Sequence, residues 1–126
     1  MSQSIRSFDN TLVAAADLSA KQFYIVKIDS TAKVVLADSA LSTIVGVLQN
    51  NPVSGEAATY RFLGTTKVVA GGTIAVGALV TSDANGKAVA TTTDGHIVIG
   101  RHIGTSAAAS GDIVEVQMGI QHLYIA

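Results

Sequence analysis

TIVGVLQNNPVSGEAATYRFLG, residues 43–64, is the stretch whose reading decides the fold. Ile44 to Leu48 is an unbroken apolar run around Gly46, the pattern of a strand buried on both faces. Residues 49–55 cannot continue that strand. Pro52 has no amide hydrogen to donate and pushes Asn51 toward extended geometry, while Gly55 permits a positive φ. From Ala57 the residues alternate, with Ala58, Tyr60 and Phe62 on one side and Thr59, Arg61 and Leu63 on the other. The stretch reads as strand, polar loop, strand.

An echo stands at residues 97–119, IVIGRHIGTSAAASGDIVEVQMG. Ile44, Val45 and Gly46 fall on Val98, Ile99 and Gly100 with an offset of 54 (100 − 46). Ser54, Gly55 and Glu56 fall on Ser110, Gly111 and Asp112 with an offset of 56 (111 − 55), so the second loop is longer. Upstream, Tyr24, Ile25 and Val26 match Ala78, Leu79 and Val80, Asp29 matches Asp83, and Lys33 matches Lys87. A period seen twice is a duplicated supersecondary unit, not a solenoid.

Short strands are predicted at 23–28, 33–37, 43–48, 57–63, 67–70, 78–81, 87–91, 96–103, 113–118 and 120–125, with Asn85-Gly86 as a hairpin turn. A single helical turn is placed within 14–22, capped by Asp17 or Ser19. The expected fold class is all-β, a β-sandwich or β-barrel built from two similar halves, with an extended N-terminal arm. Residues 1–16 form the arm and 17–126 a single β domain of two pseudo-repeats, 17–70 and 71–126. In the arm Ile5 and Phe8 are isolated apolar anchors, and the first eleven residues are expected to be dispensable for folding.

The composition narrows the function classes. Charged residues are 13% of the 126, against about 25% in ordinary soluble proteins. So little charge suits a protein that self-associates or docks on a larger surface. A net charge of −1 gives no electrostatic reason to bind nucleic acid. The absence of cysteine removes disulfides, thiolate catalysis and Cys-ligated zinc. No segment approaches the roughly 20 apolar residues of a membrane span, and 12–16 is too short for a signal-peptide core.

No catalytic or cofactor-binding constellation is found, and no metal site. His96 and His102 share parity six residues apart, about 20 Å along a strand, so one ion within the chain cannot take both. Asp29, Asp38, Asp83 and Asp94 stand at turns, where a carboxylate bonds nearby amides. Gly71-Gly72 and 100–104 form neither a dinucleotide fingerprint nor a phosphate loop. Arg61 and Arg101 interrupt strands as exposed positions. The candidate residues are for interaction: Ile5, Arg6, Phe8 and Leu12 in the arm, and Asn50, Asn51 and Pro52 in the loop that the second half does not match.

The order DLSAKQF (17–23), VKI (26–28), VVLA (34–37), IVGVLQNNP (44–52), GTTKVVAGG (64–72), IAVGALVTSDANGKAV (74–89) and ASGDIVEV (109–116) resembles the small capsid decoration, or cement, proteins of tailed phages. The resemblance spans about 17–118 and rests on turn glycines and apolar strand cores. It implies a non-enzymatic virion structural protein on the outer surface of the assembled capsid, made in the host cytoplasm. Its implied partners are the major capsid protein shell and two further copies of itself, with no nucleic acid, membrane, small-molecule substrate or cofactor. A tail-, neck- or fibre-associated domain is the alternative within the virion. A host-surface or glycan-binding module is a different class, which would call for an exposed aromatic platform.

Overall fold

The computed structural model describes residues 8–122. Among them are nine strands and no helix: β1 (Phe8–Val13), β2 (Ile25–Ile28), β3 (Val34–Leu36), β4 (Ile44–Leu48), β5 (Ala57–Val69), β6 (Leu79–Ser82), β7 (Ala88–Ala90), β8 (Ile97–His102) and β9 (Ile113–His122). All belong to one curled antiparallel sheet in the order β3-β2-β4-β5-β9-β8-β6-β7, with β1 added to β5. The all-β expectation holds. The helical turn expected within 14–22 is replaced by turns, and Ala14 instead bridges to Val34 and is buried.

Hairpin registers in the two halves coincide. Val26 faces Leu36 in β2–β3, and Val80 faces Ala90 in β6–β7. Leu48 faces Tyr60 in β4–β5, and His102 faces Val116 in β8–β9. Asp29 accepts from the amides of Thr31 and Lys33 at 2.8 and 3.0 Å, as Asp83 does from Asn85 and Lys87 at 2.8 and 2.9 Å. These Asx bonds close each turn, which explains the carboxylates without invoking chemistry.

Two expectations need correction. Gly64 and Gly119 were read as strand ends, but β5 and β9 each run through their glycine. The reason is a change of neighbour. β1 covers the first half of β5 and β9 the second, and Leu63 faces both Phe8 and Gly119. Phe8–Val13, expected as part of a free arm, is hydrogen-bonded into the sheet from Phe8↔Leu63 to Val13↔Ala57. The remaining arm residues up to Ser7 lie outside the described residues.

The core has two parts. Ala14, Leu18, Val26, Val34, Leu48, Ala58 and Tyr60 pack together under the first half. A larger cluster unites Ile74, Val80, Ile99, Val114, Val116 and Met118 with Val68 of β5 and with Ile25, Ile44 and Val47. That cluster joins side chains from both ends of the chain in one core.

Candidate interaction surface

Along β5 the inward face holds for Ala58 and Tyr60 and then fails. Phe62, on the same side by alternation, is 39% exposed, next to Leu63 at 43%. Phe8 enters β1 beside them, and its ring lies over that of Phe62 with centroids 6.4 Å apart and planes at 27°. Such a pair is an offset stack, worth about 0.5–1.5 kcal/mol beyond its buried area. Half of the Phe8 surface is nevertheless open to solvent. The stacked pair is an exposed apolar feature of the sheet and a candidate contact.

The next residues hold this patch in place. Arg61 donates from Nε to Asp9 Oδ1 at 2.8 Å and from Nη2 to Asp9 Oδ2 at 3.3 Å, a two-pronged clamp across the β1–β5 seam. Its Nη1 also donates to the carbonyl of Thr65 at 3.0 Å. Arg61, read as an exposed strand arginine, therefore works within the chain. Beyond Asp9 the seam continues to Leu12, half-buried against the first core cluster. A groove of about 390 Å³ lined by Leu12, Val13, Lys33 and Ala57 lies at the far end of β1.

The structure divides the expected interaction residues. Ile5 and Arg6 fall outside the described residues, Phe8 is in the patch, and Leu12 is mostly structural. Asn50 is spent locally: its Oδ1 accepts from Thr59 N at 3.1 Å and its Nδ2 donates to Ala57 O at 3.1 Å. Asn51 Oδ1 accepts from Gln22 N at 3.0 Å, and buried Pro52 accepts from Leu18 N at 2.9 Å through its carbonyl. Those three residues shape the loop. Phe62 and Leu63 are absent from the sequence candidates because alternation only puts Phe62 on the side of Ala58 and Tyr60, and its exposure is a property of the folded sheet.

Among the described residues no three His, Asp or Glu side chains gather closely enough to hold a metal ion. His96 bonds Thr91 through Nδ1 at 2.7 Å, while His102 is buried under the loop that follows it. Asp17, Asp29 and Asp38 are held below the ordinary carboxylate range, chiefly by side-chain hydrogen bonds from Ser19, Thr31 and Ser42 respectively. These are turn carboxylates on separate loops.

Comparison with known proteins meets this geometry. Curated proteins give no sequence match. Among solved structures, the fold is similar to that of the head fiber gp8.5 N base in bacteriophage phi29, with a TM-score of 0.66 over 95% of this chain and 100% of that one. Identity there is 19%, so the likeness speaks for the fold alone. Residues 2–118 match the phage cement protein family, a span that includes the whole β1–β5 seam, and this chain belongs to that family.

Proposed function

We propose that the protein binds the outer surface of an assembled phage head through the β1–β5 seam and stabilises it there. Its capsid-associated, structural role in the virion follows from the family. The outer face and the stabilisation are our reading, and the family match over residues 2–118 carries it. A ligand that binds only the assembled shell stabilises that shell by mass action. The exposed stack of Phe8 on Phe62 supplies the large, rigid apolar contact that binding hot spots use.

The registers support a finer account of the architecture. From Asp9 to Val13 each β1–β5 pair has a β5–β9 counterpart displaced by 56: Val13↔Ala57 answers to Val69↔Ile113, and Leu12↔Ala58 to Val68↔Val114; only Phe8↔Leu63, beyond the register shift, has none. We read the chain as two units, 8–63 and 64–119, which places the boundary inside β5 instead of near residue 70. β5 closes the first unit and opens the second. A homotrimer remains part of the reading, favoured by the low charge, as does synthesis in the host cytoplasm. The likeness to a head fiber base favours one alternative, in which the same surface seats a fibre-associated protein on the head.

The test is binding of Phe8→Ser and Phe62→Ser variants to purified undecorated heads, with melting curves as a fold control. Removing a hot-spot side chain worth 2 kcal/mol or more weakens binding by about 30-fold. Unchanged occupancy by both folded variants would remove the seam from the contact.

A further inference from the structure

We propose that His102 is a proton-operated latch that holds the start of loop 104–109 closed when neutral and releases it when charged. His102 takes the place that Leu48 has in the first half. Gly77 N donates to His102 O at 2.8 Å as Phe23 N donates to Leu48 O at 2.7 Å, and both side chains are essentially buried. A leucine needs nothing polar there, whereas a buried imidazole must find hydrogen bonds. It finds them in the loop that the second half has lengthened.

Nε2 lies 3.0 Å from the carbonyl of Ser106, which only a protonated Nε2 can satisfy. In the neutral ring Nδ1 is then an acceptor, and Gly104 N donates to it at 3.1 Å. One tautomer thus ties both Gly104 and Ser106 to the sheet. A second proton reverses the role of Nδ1, which can no longer accept from Gly104. It gains a different partner, the carbonyl of Glu115 on β9 at 3.3 Å. The charged ring keeps Ser106, drops Gly104 and turns to the sheet.

The fit around the ring is close: a Cβ on Gly104 would come within 2.6 Å of His102 Cε1. The loop roofs a groove of about 310 Å³ that Asp112 and Glu115 line together with His102. Other charges nearby are Lys67, opposite Glu115 on β5, and Arg101, whose Nη1 donates to Gly77 O at 2.6 Å. On the β6 side, Gly77 and Ala78 meet His102 through backbone only. Both carboxylates can draw an imidazolium toward β9. Farther along, Ala108 and Ile74 exchange backbone bonds at 2.9 and 3.1 Å, so the loop stays anchored at its far end while its start is freed.

The experiment is NMR on the full chain from pH 8 to pH 5, following the His102 ring nitrogens and Gly104 amide exchange corrected for its intrinsic rate. As His102 becomes charged, Gly104 protection is expected to fall about tenfold, the effect of one ordinary hydrogen bond. His102→Leu, which installs the residue found at the matching place, should make Gly104 protection low and independent of pH. Gly104 protection that stays constant from pH 8 to pH 5, whether or not the ring nitrogens change, would overturn the latch, as would the same pH dependence persisting in His102→Leu. If that variant does not fold, the wild-type titration decides alone.

Discussion

Single residues fix where the strands may approach. Gly46 and Gly100 stand at matching places, and a Cβ on either would run into a carbonyl oxygen across the sheet, that of Arg61 or of Gln117. Alanine at either position should therefore cost about 1–3 kcal/mol by overpacking, read from denaturant midpoints. Both glycines were legible in the sequence as the shared centre of two apolar runs, but the reason for them was not, since it lies in the facing strand. Ala32 shows the opposite relation. It holds a φ of 61° where its counterpart Gly86 has 77°, so Ala32→Gly should gain about 1 kcal/mol by relieving a left-handed turn. The lowered carboxylates set the acid limb of stability. Folded, Asp17, Asp29 and Asp38 titrate below their unfolded values. Each adds stability above the unfolded value, near about pH 4, and loses it as pH falls through the folded one. The melting temperature should drop below about pH 4, and less steeply in Asp29→Ala.

Elements were mostly readable because their signals are local. β2, β3, β4, β6, β7 and β8 fall within a few residues of the apolar runs and turns that announce them. β1 was not readable. FDNTLV has too little alternation to declare a strand, and its partner is Ala57 to Leu63, far along the chain. For the same reason the continuity of β5 through Gly64 and of β9 through Gly119 is a tertiary fact: only neighbours can hold a strand together across a glycine. The dispensable arm is therefore corrected. Removing residues 1–11 would strip most of β1, the Asp9–Arg61 clamp and the Phe8 stack. That truncation should lower the melting temperature markedly, read from thermal unfolding curves of the two chains. The clamp alone is partly solvated and should be worth about 0.5–1 kcal/mol in a double-mutant cycle of Asp9→Ala with Arg61→Ala.

At the scale of the molecule, one curled sheet with a shared core offers a broad, weakly charged exterior and turn carboxylates used in turns. That form holds exposed apolar side chains such as Phe8 and Phe62 in fixed positions, as a structural protein requires. The all-β class was legible in composition and alternation. Of the exposed aromatic pair, Phe8 is legible in the sequence as an isolated apolar anchor, whereas the exposure of Phe62, on the side of Ala58 and Tyr60 by alternation, is not. Asn50 and Asn51 stand out in the sequence, while their bonds to Ala57, Thr59 and Gln22 are visible only in the fold. The proposed role is to dock on an assembled head and stabilise it. Its most direct test is titration of the purified protein onto undecorated heads, following occupancy and the temperature at which the heads rupture. Saturable binding with a rupture temperature that rises with occupancy is the predicted result; heads that stay bare, or that fill without any gain in rupture temperature, would contradict it.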